Sequence, residues 1–224
     1  MTVNGSEPLD PEQVDARAAS NSARRRRTER RIIDAATALF LRDGYASTSL
    51  AAVADAAGVS ERTVYVRFAG KVALFQRVIE VGIVGDLDDV PLPEREWSIR
   101  ALSAPSARER IVAFADGVAD MHERLGPLMA VNGEVEGSEA VVHASAQAWR
   151  SATHVFLRRF WGAMCDDGLL SDACDLQWLV DTTTVLTAAE SRLLITRTLG
   201  WDRTAFRDWM VKTMMILAEV RSTA

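Results

Sequence analysis

The spacing of apolar residues constrains the fold of this chain more than any other feature of its sequence. Apolar side chains recur every three or four positions along most of the chain, as on one face of an amphipathic helix. In the stretch that begins at the arginine run, this stripe consists of Ile32, Ile33, Ala36, Leu39 and Phe40. Runs that alternate between apolar and polar residues, as half-buried strands do, are missing from the sequence. We therefore predict an all-α fold.

The composition is that of a soluble globular protein. Of the 224 residues, 48% are hydrophobic and 25% are charged, which leaves enough apolar side chains for a sizeable core. The opening residues, MTVNGSEPLDPEQ, lack the basic and apolar regions of a secretory signal. No uncharged apolar run is long enough to cross a bilayer. We expect a cytoplasmic protein.

The net charge of −5 conceals a basic segment between two acidic ones. Residues 20–77 carry eleven basic and five acidic side chains. Residues 1–19 carry one basic and four acidic side chains, and residues 78–224 carry fourteen and twenty-two. A basic module joined to an acidic body is typical of a protein that binds a polyanion with one part and has another task for the rest.

Glycines and capping residues divide the basic segment into short helices. Gly44 and Gly58 are predicted helix stops, and the Ser-Thr-Ser run at 47–49 and Ser60 are predicted N-caps. We predict one helix that ends before Gly44 and three more over 50–57, 60–68 and 71–84. Two short helices joined by about three residues that include a glycine have helix-turn-helix geometry.

A motif at fixed spacing runs through this segment. Its positions are Thr48, Ser49, Leu50, Ala57, Gly58, Val59, Ser60, Tyr65, Phe68 and Lys71. Over about residues 24–80 the chain thereby resembles the DNA-binding domain of the TetR (tetracycline repressor) family of bacterial transcription regulators. Arg67 departs from the family pattern, which often has an aromatic residue or His there, and Val72 stands where an acidic residue is common. The resemblance implies an N-terminal helix-turn-helix domain and a larger C-terminal helical domain for ligand binding and dimerisation.

The third helix has the length and the side chains of a recognition helix. Eight residues span about 12 Å, which matches the ~12 Å width of the major groove. An N-cap at Ser60 directs the helix dipole towards phosphates, Arg62 can bond guanine, and Thr63 can touch a thymine methyl or a phosphate. Arg62 can instead pair with a surface carboxylate. Glu61 repels phosphate unless it accepts a hydrogen bond from cytosine or supports the Ser60 cap.

The family resemblance implies further DNA contacts. Tyr65 would reach a backbone phosphate or a base edge, and Lys71 a phosphate. Thr48 and Ser49 would position the second helix on the opposite strand. Tyr65 can instead pack against Phe68.

More basic side chains flank these positions, and Arg67 can alter the contacts to DNA. The run of Arg24, Arg25, Arg26 and Arg27 either forms an arm in the minor groove, adds phosphate contacts, or is only the solvated start of a helix.

We divide the chain into a disordered tail over 1–21, a helix-turn-helix DNA-binding domain over 22–80 and a ligand-binding and dimerisation domain over 81–224. The last of these begins with a proline-containing connector at 86–105. Beyond it we predict helices over about 105–125, 138–164, 174–199 and 203–221, with a broken segment, GPLMAVNGEVEG, between the first two.

The last two helices are apolar around much of their circumference, which favours burial on more than one side. Paired with the same helices of a second subunit, they would form a four-helix bundle and a homodimer. The predicted interface residues are Leu186, Leu193, Phe206, Trp209, Met210, Thr213, Met214 and Leu217. An ordinary helix pair inside one subunit is the alternative.

Aromatic and sulfur-containing side chains are dense in the C-terminal domain. By resemblance to the TetR family, this domain holds a small-molecule pocket, and an apolar wall with a few polar groups suits such a ligand. The candidate ligand-binding residues are Phe114, Met121, His122, Met129, Trp149, Phe156, Phe160 and Trp178. The same stripe is also typical of an ordinary core.

Motifs of enzymes and metal sites are missing from the sequence. It contains no GxSxG, HExxH, GxGxxG or GxxxxGK[ST] motif, so we predict no catalytic residue and no cofactor. Cys165 and Cys174 are nine residues apart, a spacing that matches neither a CxxC redox pair nor a zinc ligand set, and we predict no metal.

The sequence thus predicts a homodimeric, TetR-like transcription regulator, a repressor of a near-palindromic double-stranded DNA operator that is released by an apolar or amphipathic small-molecule effector. Two alternatives stay open. One is a DNA-binding regulator without a small-molecule ligand, and the other is an all-α binding module or enzyme without specific DNA binding.

Overall fold

The computed structural model describes residues 11–171 and 173–219. That part of the chain consists of helices and the loops that connect them, without a strand. A short 3-10 turn (Leu92–Glu94) lies in the connector. The α-helices in chain order are α1 (Pro11–Ser47), α2 (Leu50–Ala57), α3 (Glu61–Arg67), α4 (Lys71–Val84), α5 (Glu96–Ser103), α6 (Ala107–Ser138), α7 (Ala140–Asp166), α8 (Leu176–Leu186), α9 (Ala189–Leu199) and α10 (Arg203–Glu219). The predicted all-α fold is confirmed. Helices that combine the length and apolar surface of a membrane span are absent from the described residues.

Helix α1 begins earlier than predicted. Residues 11–21, assigned to a disordered tail, are helical, and residues 1–10 lie outside the described residues. Neither proline nor glycine interrupts the chain between Glu12 and Asp43, and Pro11 stands at the first helical position, where a missing N–H costs little. The predicted stop at Gly44 is confirmed, because Gly44 leaves the helical conformation (φ 79°, ψ 167°).

The long helix α6 corrects the prediction of a broken segment over 126–137. It continues through Gly126 and Pro127 as one helix of 32 residues. The packing explains this continuity, since a buried stripe runs along the predicted break and holds it helical against its low intrinsic propensity. The stripe is formed by Leu125, Leu128, Val131 and Val135.

The stretch over 174–199, predicted as one helix, forms α8 and α9 with a break at Thr187–Ala188. Threonine hydroxyls bond the backbone just before the break. The Thr183 hydroxyl donates to the Leu179 carbonyl at 2.6 Å, and the Thr187 hydroxyl donates to the Thr183 carbonyl at 2.7 Å. Such bonds between a side chain and the carbonyl four residues back compete with the helical ladder.

Two apolar cores are joined by α6. The first core unites α1–α4 with the C-terminal half of α6 and with Val142 of α7. The second lies between α5, the N-terminal half of α6, α7, α8 and α10, around Phe160, Trp161 and Phe206. Met121 of α6 packs against both cores. The first core therefore extends past residue 80, where the sequence suggested that the DNA-binding domain ends.

Candidate nucleic-acid interface

Capping residues fix the two short helices of the motif. The Ser49 hydroxyl accepts a hydrogen bond from the Ala52 N–H at 3.1 Å and begins α2. Gly58 ends α2 in the left-handed conformation (φ 61°). Arg31 of α1 donates to the Ala57 carbonyl at 2.5 Å and to the Gly58 carbonyl at 3.1 Å. Arg31 thus ties the turn to α1, a positioning role that its place in a basic run did not reveal.

The N-terminus of α3 is closed by its own hydroxyl groups. The Ser60 side chain accepts from the Thr63 N–H at 3.2 Å, and the Ser60 and Thr63 hydroxyls lie 2.8 Å apart. Thr63, expected to touch DNA freely, is half-buried and part of the cap. Glu61 is exposed and takes no part in these bonds.

The two faces of α3 differ sharply. Val64 is fully buried and Phe68, which follows the helix, is 7% exposed, so together they seat α3 on the first core. On the opposite face Arg62 is exposed, and Tyr65 and Val66 are 54% and 76% exposed. Arg62 and Tyr65 make no side-chain hydrogen bond or ion pair within the described part of the chain. The alternative of an ion pair between Arg62 and a surface carboxylate is therefore not seen in the described part of the chain.

Sequence reasoning missed Val66. An apolar side chain on a basic segment attracts no attention, yet a branched methyl pair exposed on a recognition helix suits contact with a thymine methyl group. A signal was available, since Val66 falls on the polar side of the stripe formed by Val64 and Phe68.

Thr48 is a correction. It was predicted to face DNA with Ser49, but its side chain is only 3% exposed, and its hydroxyl donates to the Gly44 carbonyl at 2.8 Å. This bond closes the turn between α1 and α2, which explains a hydroxyl residue at this place. Ser49 is exposed, in agreement with its predicted position.

Lys71 is anchored inside the domain. Its ammonium donates to the Ala46 carbonyl at 3.0 Å and lies 4.3 Å from the centre of the Tyr45 ring. Burial lowers the pKa of Lys71, and the charge of Glu139 opposes that shift. Lys71 therefore holds the start of α4 against the α1–α2 turn, and two of its three ammonium protons stay available for a phosphate.

The four arginines at 24–27 lie within α1, so they do not form an extended arm. Arg24, Arg25 and Arg27 are exposed. Arg26 turns the other way, towards the connector after α4, where it forms an ion pair with Asp88 and donates to the Leu87 carbonyl at 3.1 Å.

Arg67, at the end of α3, is half-buried. It lines an open cleft of about 620 Å³ between α1, α4 and the end of α3. Arg25, Arg77 and two acidic residues share this cleft, and Arg77 bonds Glu29 of α1 at 3.0 Å. Arg67 thus lines the same cleft as two other arginines at the end of α3.

The predicted ligand-binding residues do not line one pocket. Phe114 and Phe160 are buried with ring centres 5.0 Å apart, and half-buried Phe156 packs beside them. Met129 and Trp149 pack on the first core, whereas Trp178 is exposed. His122 is buried on Phe206, with ring centres 5.5 Å apart. These residues behave mainly as core, which is the alternative that the sequence left open.

The residues predicted for the dimer interface divide into a buried and a half-buried set. Phe206, Met210, Met214 and Leu217 are buried within the chain itself, because α10 packs on α6 and α8. Leu186, Leu193, Trp209 and Thr213 are half-buried. Other apolar side chains on these last helices are exposed instead: Trp178, Val185, Leu194, Leu199 and Ile216.

Comparison with known proteins agrees with this geometry. The sequence profile of bacterial regulatory proteins of the tetR family matches residues 32–78. A comparison with curated proteins finds no match.

Three solved structures show the likeness of the fold. The fatty acid degradation regulator FadR from Bacillus halodurans is 15% identical, with 84% of this chain and 94% of that chain covered and a TM-score of 0.64. A putative TetR-family transcriptional regulator from Mesorhizobium loti is 18% identical, with 88% and 99% covered and a TM-score of 0.64. The transcriptional regulator FadR from Bacillus subtilis, in complex with stearoyl-CoA, is 16% identical, with 84% and 96% covered and a TM-score of 0.63.

The fold and the site define a helix-turn-helix protein with a helical C-terminal body. The match over residues 32–78 shows that the chain carries the N-terminal DNA-binding domain of the tetR family of bacterial regulatory proteins, which confirms the resemblance found in the sequence. Members of this family are DNA-binding regulators rather than enzymes.

Proposed function

We propose that this regulator binds its operator through the exposed face of α3. The observation that carries the proposal is the pair of free side chains, Arg62 and Tyr65, on a helix that is capped at Ser60 and seated by buried Val64. The seven residues of α3 span about 10 Å, which fits the major groove.

Each exposed side chain has a distinct role in this proposal. Arg62 bonds the O6 and N7 atoms of guanine, Val66 packs on a thymine methyl, and Tyr65 donates to a phosphate. Ser49 and Lys71 contact phosphates from the starts of α2 and α4. The exposed arginines of α1, Arg24, Arg25 and Arg27, add phosphate contacts that depend on salt.

The test measures affinity for a duplex that the wild-type protein selects from a random pool. Arg62→Ala should weaken binding by about 1–3 kcal/mol and relax base preference at one position. Tyr65→Ala should weaken binding to all sequences alike. Arg100→Ala is the matched control, because Arg100 is exposed on α5, outside the helix-turn-helix. Unchanged affinity in both α3 variants would refute the proposal.

The functional unit in this proposal is a homodimer. Trp178 and Val185 of α8 and Ile216 of α10 are exposed apolar side chains of the described chain, and burying them against a second copy removes them from water. Two copies of α3 then meet two half-sites of a near-palindromic operator.

Sedimentation of charge variants tests the dimer. Val185→Glu combined with Ile216→Glu should yield monomers with weaker operator binding. Val141→Glu is the matched control, because Val141 on α7 is 58% exposed, close to the 65% of Val185. A dimer that survives the double change would place the interface elsewhere.

The regulatory role in this proposal is repression, relieved by an amphipathic effector with a long apolar chain. The likeness of the fold to a FadR in complex with stearoyl-CoA supports this class of ligand. Buried polar atoms without a partner in the described chain, the His122 Nδ1 and Arg110 Nη1 atoms, offer groups for a ligand to bond. The effector must bind the DNA-free state more tightly, because equal affinity for both states shifts nothing.

Helix α6 is the element that would carry this signal. Arg124 of α6 donates to the Gly82 carbonyl and to the Ile83 carbonyl, both at 3.0 Å, at the end of α4. Leu125 lies so close to Gly82 that a Cβ there would be 2.7 Å from its Cδ2 atom. A shift of α6 in the body therefore moves α4 and the recognition helix with it.

Stearoyl-CoA is the first effector to test, with free coenzyme A and stearate as controls. It should raise the melting temperature of the protein and weaken operator binding by roughly 5–150-fold, the usual range of coupling between two sites. Absence of both effects with stearoyl-CoA and stearate would favour a regulator without this class of effector.

A further inference from the structure

The two cysteines meet at the junction between α7 and α8. Cys165 lies in the last turn of α7 and Cys174 just before α8, and their Sγ atoms are 3.2 Å apart. Both thiols are free and both residues are half-buried, so small reagents can reach them. The spacing of nine residues did not suggest this contact, which arises because the chain reverses after α7.

Hydrogen bonds hold this reversal in place. Gly168, in the left-handed conformation (φ 66°), donates to the Cys165 carbonyl at 3.0 Å, and Leu169 donates to the Met164 carbonyl at 2.9 Å. The Cys174 N–H donates to the Ser171 carbonyl at 2.9 Å. The backbones next to the two sulfur atoms are therefore both held by hydrogen bonds.

The start of this segment is also tied to the body of the protein. Arg110 of α6 is buried, forms an ion pair with Asp167 and donates to the Ala104 carbonyl at 2.7 Å. This anchor fixes the end of α7 next to Cys165. Closing the sulfur atoms from 3.2 Å to a covalent bond then requires a movement of about 1 Å.

We propose that Cys165 and Cys174 form an oxidation site that closes to an intrachain disulfide in the presence of a peroxide. This inference is independent of DNA binding and of the effector. The redox chemistry needs one two-electron oxidant, a hydroperoxide, and no metal.

The reaction proceeds in two balanced steps. The Cys174 sulfur attacks the peroxide, the O–O bond breaks, and the products are a Cys174 sulfenic acid and an alcohol, or water from hydrogen peroxide. The Cys165 thiol then attacks the sulfenic sulfur, an S–S bond forms, and the oxygen leaves as water with the thiol proton. A dithiol reductant reverses the change.

The order of the steps follows from the surroundings of Cys165. Burial and the hydrogen bond with Cys174 raise the pKa of the Cys165 thiol to about 12, so Cys165 is protonated at neutral pH. Its S–H can donate to the Cys174 sulfur at 3.2 Å. Cys174 is accordingly the first sulfur to react, and Cys165 is the resolving thiol.

The disulfide would close a short ring at the entrance to α8. Cross-linking residues close in sequence removes freedom mainly from the unfolded chain, so the oxidised protein should melt at a higher temperature than the reduced protein. Trp178, an exposed side chain in the first turn of α8, lies four residues after Cys174.

The test treats the reduced full-length protein with a small excess of hydrogen peroxide under native conditions. We expect loss of both free thiols, a mass lower by two hydrogen atoms, one peptide pair linked through Cys165 and Cys174, a higher melting temperature, and reversal by dithiothreitol. Cys165→Ser should stop the reaction at a Cys174 sulfenic acid, which a dimedone probe labels.

Cys174→Ser is the matched variant, and its remaining Cys165 should resist peroxide far longer. Three results would overturn the proposal: thiols that stay titratable after peroxide treatment, a disulfide between two chains in place of the intrachain bond, or independent oxidation of each cysteine to a sulfinic acid in the wild-type protein.

Discussion

The side chains expected to bind DNA and those expected to bind a ligand have opposite fates in the structure. On α3, Arg62 and Tyr65 stay exposed and unbonded within the described chain. In the C-terminal domain, Phe114 and Phe160 are buried in an aromatic core. The exposed side chains of α3 leave it free to contact a partner, so the sequence prediction for this helix stays a prediction about DNA binding. An aromatic stripe is also what an ordinary core requires. Such a stripe in the sequence therefore indicates core packing before it indicates a ligand site.

The largest expected effect comes from Phe160→Ala. Phe160 is fully buried between Phe114 and Trp161, so the change should lower the free energy of unfolding by about 3–5 kcal/mol, measured by urea denaturation. Tyr65→Ala should change it by less than about 0.5 kcal/mol. A mild effect of Phe160→Ala would mean that Phe160 lines open space, and the contrast between the two regions would fail.

The second effect concerns pH and belongs to the body alone. Burial, aided by the charge of Arg192 and opposed by that of Glu190, lowers the pKa of His122 from 6.5 to about 4. Between these values the unfolded chain binds a proton that the folded protein does not, so stability is full above pH 6.5 and falls as the pH drops towards 4.

The loss should reach roughly 3 kcal/mol at most. His122→Phe should flatten this part of the pH profile, whereas His143→Phe, at an exposed position on α7, should leave it in place. An unchanged profile in His122→Phe would show that other groups cause the acid sensitivity.

The third effect compares two glycines of α6. A Cβ at Gly117 would lie 2.2 Å from Cδ2 of the Trp97 ring, so Gly117→Ala should destabilise the body by about 1–3 kcal/mol. Gly133→Ala meets nothing within 4 Å and should gain up to ~1 kcal/mol from helix propensity. The melting temperatures of both variants measure this difference. Equal shifts in melting temperature would show that Trp97 of α5 does not pack tightly against Gly117 of α6.

The smallest effect belongs to the N-terminal domain. Ser60→Ala removes the acceptor for the Thr63 N–H and should cost about 1 kcal/mol of stability, seen as a lower melting temperature. Ser60→Asp keeps an acceptor and should restore most of that loss, although its charge should weaken DNA binding. If Ser60→Ala melts like the wild type, the cap does not contribute to the stability of α3.

Local signals account for what the sequence predicted well. Ser49, Gly58 and Ser60 act on neighbours within three or four residues. The helix ends that they form can therefore be predicted from a short stretch of sequence. The same holds for the stop at Gly44, which needs only its own positive φ.

Long-range packing accounts for what the sequence missed. Gly126 and Pro127 look like a break until the buried stripe of α6 meets the first core, 40 or more residues away along the chain. Thr48 looks like a DNA contact until its hydroxyl is found on the Gly44 carbonyl. The meeting of Cys165 and Cys174 likewise depends on how the chain turns after α7.

Helix α6 belongs to both cores, and this limits how domains of this protein can be exchanged with those of other proteins. Val78 and Ile79 are buried in the same core as Leu125 and Leu128 of α6. A fragment that ends after residue 80 would lack these packing partners, and we expect it to aggregate through the exposed apolar surface. A chimera designed to change DNA specificity should therefore keep the whole of α6 from one parent protein and exchange only the exposed residues of α3.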